Sequence, residues 1–414
     1  MKFTTRMFSA ALAAGVLAAS LAGCGAGPAA STTLPLPSEV PEDIIMTAAG
    51  IARDTPLLTV DGVEVPAEEL LYWVSSYADQ YAAWGMTDLT MDMGSGQTLG
   101  EYYLDSAVET AALYRVVESK AQELGLGWSD ANQTAYDEQL QTMKTSLAQQ
   151  AGLDIETQSD KVDTEFVRLI SYMGLSQEGF FHINQASFLY NNLMEGLYGP
   201  EGTDAPDADK LNEAGVLHAK HILIAAEPVT DEEGNVTDDG MAAAQTQAQA
   251  LCDQLQAAED PAALFDELMT EHTDDVDASG NVNGGAEGYT FGPGEMVDEF
   301  YEGAKALAEG EISQPIQSQY GYHIILRLSA DNQAGYDKYA DVKMQDQIDQ
   351  WMAEAQIERA EALDTLDLQA YYDGLATLRA DISAASQEAT APETTAPVES
   401  TPAETTAPTE SPAA

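Results

Sequence analysis

Two histidines open the chemical reading of this chain. Lys220-His221-Ile222-Leu223-Ile224 sets one imidazole at the head of a short apolar run. Gln314-Pro315-Ile316-Gln317-Ser318-Gln319-Tyr320-Gly321-Tyr322-His323-Ile324-Ile325-Leu326 sets a second on another. The later stretch reads as a short strand, a turn at Tyr320-Gly321, and a longer strand carrying His323 on its inward side. The chain has only 5 histidines, so two on strands within one segment of domain size point to a site. Taken singly, each also fits a core histidine whose ring nitrogens are satisfied. Met296 and Phe300 lie four apart on a helix expected to open near Gly294, and so share one face. By spacing alone that pair describes a packed core.

The elements that must carry these residues lie between two non-globular ends. Lys2 and Arg6 precede an apolar run from Phe8 to Leu21, the form of a signal peptide over residues 1–23, too short for a comfortable span. It ends in Leu21-Ala22-Gly23-Cys24, which resembles a bacterial lipobox whose cysteine is acylated after cleavage. Two acyl chains hold a protein at a bilayer where one does not. Residues 24–54, rich in Ala, Thr, Pro and Ser, read as a flexible tether. Residues 386–414 carry Pro/Thr/Glu repeats too poor in apolar surface to order, and read as a disordered tail. With Cys24 acylated, Cys252 has no disulfide partner, and its Ala/Gln-rich helical run marks it as a buried thiol.

Composition removes some function classes. With 16 Lys+Arg against 70 Asp+Glu, the net charge of −54 argues against nucleic acid, which requires cations at its phosphates. The same charge keeps a surface protein dispersed. Leu57 to Val65 forms a hairpin around Asp61-Gly62, and Pro66 falls in the first turn of the helix that follows. Helical spacing recurs over 100–124, 130–151, 160–173 and 177–197, giving a helical region over 55–210. A Gly/Pro/Asp-rich linker leads to a mixed strand and helix block over 216–329. Residues 333–380 then return to a polar helical pattern with a stripe of Val342, Ile348, Trp351, Met352 and Ile357. A helix this polar needs a partner, and the economical arrangement packs it back on the first helical region with the mixed block inserted between.

The mixed block resembles a parvulin-type peptidyl-prolyl isomerase domain. The matching runs, in order, are His221-Ile222-Leu223-Ile224, Thr273-Asp274-Asp275, Asn283-Gly284-Gly285, Phe291-Gly292-Pro293-Gly294-Glu295-Met296-Val297, Phe300, Gly310 to Ile316, and Tyr320 to Ile325. The layout of the rest is similar to the PrsA/SurA foldases. The resemblance implies an α+β fold, a mostly helical chaperone domain with a small antiparallel sheet domain inserted. It implies an extracytoplasmic, lipid-anchored foldase that isomerises X–Pro bonds in unfolded secreted polypeptides, needs no cofactor or metal, and leaves a homodimer open. Residue by residue, it makes Met296 and Phe300 the floor and wall of a proline pocket bordered by Phe291. His221 and His323 become neighbouring imidazoles that fix each other's tautomers. Ser318 and Tyr320 would give them hydroxyls. Asp275 would face the substrate amide as a carboxylate whose pKa burial raises.

Two departures qualify that pattern. Where parvulins show Gly-Gly-Asp-Leu-Gly, this chain has Gly284-Gly285-Ala286-Glu287-Gly288-Tyr289, and the pocket leucine has no counterpart. A holding chaperone with a degenerate isomerase domain is therefore the alternative. The acidic loop Pro228–Gly240 offers no basic cluster for a phosphoserine. Asp275-Val276-Asp277-Ala278-Ser279-Gly280 opens like a calcium loop, but Ala286 stands where the closing Glu belongs.

Overall fold

The computed structural model describes residues 34–390 except 83, 95 and 232. Residues 1–23, Cys24 and the tail from 391 lie outside the described residues. Among the described residues no helix is long and apolar enough to cross a membrane.

The helical region is built from both ends of the chain. A first short helix, α1 (Ile44–Ala49), is capped by the Asp43 carboxylate. The hairpin β1 (Pro56–Val60) and β2 (Val63–Pro66) turns at Asp61-Gly62, with φ of 49° and 83°, the pair of positive angles a type I′ turn requires. Five helices follow: α2 (Ala67–Ala82), α3 (Leu99–Glu123), α4 (Asp130–Ala151), α5 (Ser159–Tyr172) and α6 (Gln177–Tyr198). Thr98 and Glu101 close a capping box on α3, and Ser129 and Asn132 another on α4, which fixes where those helices begin. A short helix, α7 (Ala208–Glu213), lies in the expected linker.

The return of the chain completes this unit. Helix α11 (Gln333–Glu354) leads into β9 (Ile357–Arg359), which pairs antiparallel with β1 to give a sheet of order β2-β1-β9. After α12 (Glu361–Asp364), helix α13 (Leu368–Thr390) drives Tyr371, Leu375, Leu378 and Ile382 into the core formed by Leu57, Leu70, Leu71 and Leu99. The packing of the N- and C-terminal segments around an inserted block is therefore as the sequence implied. Three boundaries differ. Residues 34–54 are not a free tether, because Val40, Ile44 and Ile45 are buried and α1 packs on α13. The returning segment is not one helix: Ile357 sits in β9, 38% exposed, rather than on the apolar stripe. Residues 386–390 belong to α13, not to the tail.

The inserted block contains β3 (Leu217–Ala225), a two-stranded β4 (Val229–Thr230) and β5 (Val236–Asp238) hairpin, α8 (Met241–Ala257), α9 (Pro261–His272), β6 (Tyr289–Phe291), α10 (Asp298–Lys305), β7 (Ile316–Ser318) and β8 (Gly321–Leu328). Its sheet has the order β6-β3-β8-β7, all antiparallel. Alternation along β3 and β8 separates two faces. Ile222, Ile224, Tyr322, Ile324 and Leu326 face α8 and α9. Leu217, Ala219 and Ile325 face the other way, onto Phe291 and α10. Cys252 is buried on the first side, near the Ser313 carbonyl at 3.6 Å, and burial pushes its thiol up to about 11.

All 4 tryptophans fall in the helical unit, so their fluorescence reports it separately from the inserted block. Tyr371 is fully buried there and donates to the Leu71 carbonyl at 3.0 Å. We expect Tyr371→Ala to lower the urea stability read by tryptophan by about 3–5 kcal/mol, and Tyr371→Phe by about 1 kcal/mol. The inserted block should keep its own transition by far-ultraviolet circular dichroism.

Candidate functional site

The register of the central strands brings the two histidines together. Leu223 pairs with His323 and His221 with Ile325, so the imidazoles are diagonal neighbours on the sheet face opposite α8. Their rings stack at 5.3 Å and 22°. Phe300 from α10 meets both edge-on, at 5.1 Å to His221 and 5.4 Å to His323. The turn before His323 tolerates only glycine at 321, with φ of 140° and the Ile224 carbonyl 2.1 Å from where a Cβ would lie.

A second device delivers Asp275. The Asp274 N–H donates to the Leu223 carbonyl at 2.8 Å, and Thr273 Oγ1 accepts from the Leu223 N–H at 3.1 Å. Asp274 Oδ2 accepts from the Ala225 N–H at 2.8 Å. The segment 273–275 is thus stitched along β3. Asp277 closes the following loop on itself, accepting from the Ser279 and Asn281 N–H groups, which returns Asn283 to Asp275. The stretch that opens like a calcium loop is therefore a self-capped turn.

These elements create a continuous hydrogen-bonded line. Ser318 Oγ lies 2.8 Å from His323 Nε2, His323 Nδ1 is 3.1 Å from His221 Nδ1, and His221 Nε2 is 2.8 Å from Asp275 Oδ2. The Tyr320 backbone N–H donates to Ser318 Oγ at 3.1 Å. Asp275 also accepts from Asn283 Nδ2 at 2.8 Å and from the Tyr289 hydroxyl at 2.7 Å. The hydrogen bond from His221 foremost, with those from Asn283 and Tyr289 adding to it, holds the Asp275 carboxyl well below the usual carboxylate range, against burial as the second-largest effect. Burial and the neighbouring His221 push His323 down to about 4. Burial, then the bond to Asp275, pushes the Tyr289 phenol up. With a single N–H on each imidazole, one order of protons satisfies every contact. Ser318 donates to His323 Nε2, His323 Nδ1–H donates to His221 Nδ1, and His221 Nε2–H donates to the anionic Asp275.

The line gathers His221, His323, Ser318 and Asp275 from the sequence expectations. Others need correction. Asp275 is not raised in pKa, because three donors outweigh its partial burial. Tyr320 is 56% exposed and reaches the line through its backbone, and among the described residues its hydroxyl bonds neither histidine. Phe291 is 1% exposed and packs beneath Phe300 and Tyr301, so it supports the site from within the core. Met296 precedes α10 in a bend rather than sharing a helical face with Phe300, though it packs half-buried on the same cluster. Tyr289 and Asn283 were not anticipated. Tyr289 sits at the end of the departing Gly284 to Tyr289 run, and Asn283 opens the Asn-Gly-Gly turn, so position alone marked both.

The family model for the PPIC-type PPIase domain (Rotamase) matches residues 221–329, the segment that holds this site. The chain is similar to PrsA and SurA foldases over part of its length. It is 30% identical over 201 residues to foldase protein PrsA of Halalkalibacterium halodurans, covering 47% of this chain and 50% of that one. It is 36% identical over 110 residues to PrsA of Caldanaerobacter subterraneus, covering 27% and 28%. It is 35% identical over 116 residues to chaperone SurA of Thiobacillus denitrificans, covering 28% and 23%. The chain thus spans half or less of the length of these curated relatives. Against the crystal structure of PrsA from Bacillus cereus the identity is 16%, over 82% of this chain and 99% of that one, with a TM-score of 0.26, too low to carry an argument.

The depressed His323 has a thermodynamic consequence. The unfolded chain protonates this histidine near pH 6.5, the folded one near 4. Between those values the unfolded state binds more protons, so stability falls as pH falls, by about 1.4 kcal/mol per pH unit and about 3 kcal/mol in all. Asp275, whose folded pKa is lowered, keeps its contribution until the pH drops below the ordinary carboxylate range. Urea unfolding of wild type and His323→Gln followed by circular dichroism at pH 7.5, 6 and 5 should show a stability difference that narrows steadily. A difference independent of pH contradicts the neutral, desolvated imidazole.

Proposed function

We propose that this protein is an extracytoplasmic, lipid-anchored foldase whose inserted domain isomerises X–Pro bonds in unfolded exported polypeptides. The observation that carries the reading is the anionic end of the hydrogen-bonded line, Asp275, held beside the apolar cluster of Phe300 and Met296. The prolyl amide resists rotation because its C–N bond has double-bond character, with a barrier of roughly 18–20 kcal/mol. No bond need form or break. In the planar amide, resonance puts negative charge on the carbonyl oxygen; the twisted amide loses it. A fixed carboxylate near that oxygen disfavours the planar state, and a dry apolar slot for the ring disfavours it further. A thousandfold acceleration requires only about 4 kcal/mol of such preference. His221, His323 and Ser318 have the task of holding Asp275 ionised and in place.

The PrsA and SurA relatives support a foldase or chaperone role at the level of the family, and the membrane anchor rests on the lipobox ending at Cys24. A second reading keeps a specific observation of its own. Ala286 and Glu287 are exposed turn residues where the pattern places a pocket leucine, so the slot has one apolar wall fewer. That favours a holding chaperone with weakened catalysis.

A protease-coupled assay on a proline tetrapeptide tests the first reading, and wild type should exceed thermal isomerisation. His221→Ala and Asp275→Ala should each lower kcat/KM about ten- to a hundredfold, the equivalent of one lost charge-assisted bond, while suppression of client aggregation persists. No wild-type rate above thermal, with aggregation still suppressed, establishes the holding reading instead. For the anchor, Cys24→Ser expressed in a Gram-positive host should move the protein from the membrane fraction to the medium. Retention in the membrane contradicts acylation at Cys24.

A further inference from the structure

The first described stretch of the chain, Leu34-Pro35-Leu36-Pro37-Ser38-Glu39, is seated on the helical unit at the junction of α5 and α6. Three contacts hold it. The Gln177 carboxamide grips the backbone of Leu34 from both sides, its Oε1 accepting from the Leu34 N–H at 2.9 Å and its Nε2 donating to the Leu34 carbonyl at 2.9 Å. That is the pairing a neighbouring β-strand would offer, and it reads backbone rather than side chain. The Leu34 side chain packs on a cluster of Phe166, Ile170, Leu175 and Phe180. Glu39 pairs with Arg168, which keeps Glu165 as a second carboxylate partner. Pro35 and Leu36 between these points are exposed.

A cavity of about 470 Å³ lies beside the segment, lined by Leu36 and Pro41, by Ile170, Leu175 and Phe181, and by the charged Glu42, Arg53, Glu68 and Glu178. Leu36 of the segment thus lines a hollow that the segment leaves open. Two X–Pro steps, aliphatic residues and a trailing acid are what a stretch of unfolded exported chain would present.

We propose that this groove is a binding site for extended client segments in which an aliphatic residue precedes proline and an acidic residue follows, and that Leu34–Glu39 is its built-in, displaceable occupant. The inference rests on the reading that the protein handles unfolded chains, and deepens it by naming a peptide class and a second place, away from Asp275, where it is held. Gln177 supplies sequence-independent grip, the aromatic and aliphatic cluster selects the side chain, and the neighbouring cavity receives the bulkier residues of a better-fitting client. Because the occupant is covalently attached, its effective concentration is about millimolar, and weak free peptides compete poorly until it is released. This makes the groove self-protected when no client is at hand.

The test uses the full-length chain and a fluorescein-labelled peptide with the sequence of residues 34–40, followed by fluorescence anisotropy. Wild type should bind weakly. Leu34→Asp places a charge in the apolar cluster, ejects the segment, and should raise peptide affinity at least tenfold. Gln177→Ala in that background should remove the gain. Should Leu34→Asp reduce the tryptophan-reported stability, Glu39→Gln, which removes only the ion pair, should still raise affinity about threefold. Equal affinity in wild type and both release variants, or a gain insensitive to Gln177→Ala, overturns the proposal. The wild-type tetrapeptide isomerase rate, read separately, shows whether the isomerase reading stands when this one fails.

Discussion

The site depends on one electrostatic fact: Asp275 stays ionised because three donors converge on it. Its charge gives the hydrogen-bonded line a direction. With a single N–H on each imidazole, every other proton position follows, from His221 to His323 to Ser318. The protein therefore uses two histidines without exposing either as a base. They act as a rigid, desolvated strut. Isomerisation suits such a site, because rotation about an amide needs a fixed field and a dry surface rather than a group that takes and returns a proton.

The fold is arranged to keep that strut in register. Strand alternation places both imidazoles on the face turned from α8 and α9. Side-chain bonds from Thr273 and Asp274 hold the Asp275 segment along β3. The inserted block is in turn fixed at its ends. Tyr301 donates to the Gly215 carbonyl at 3.0 Å where the chain enters, and Lys338 of α11 pairs with Glu295 at 2.9 Å where it leaves. His218 spans the two crossings, with one ring nitrogen 2.7 Å from the Glu287 carbonyl and the other 3.0 Å from the Ser329 carbonyl. The loop preceding α10, which carries Met296, is thus tied to the helix that rejoins the helical unit.

Much of this was legible in the sequence, for physical reasons that also explain the gaps. Asp61-Gly62 between β-rich runs announces its hairpin, and Ser129 before Asp130 announces a helix start, because local chemistry decides both. The histidine-bearing strands were legible for the same reason. The strand β9 was not, since three exposed residues become a strand only through β1, a partner remote in sequence. The direction of the Asp275 shift was misread because burial is visible in an apolar context, whereas donors arriving from Asn283 and Tyr289 are a property of the folded loop. Tyr320 illustrates the converse. Its hydroxyl looked useful beside Ser318, but a two-residue turn throws the side chain outward and leaves only the backbone N–H in reach.

The most direct measurement is of the protons themselves. Long-range ¹H–¹⁵N correlation spectra of the imidazoles in the folded protein at pH 7 report which ring nitrogen is protonated in each. The account predicts His221 protonated at Nε2 with Nδ1 bare, and a neutral His323 protonated at Nδ1. An imidazolium at His323, or a His221 protonated at Nδ1 with a bare Nε2 facing Asp275, contradicts it.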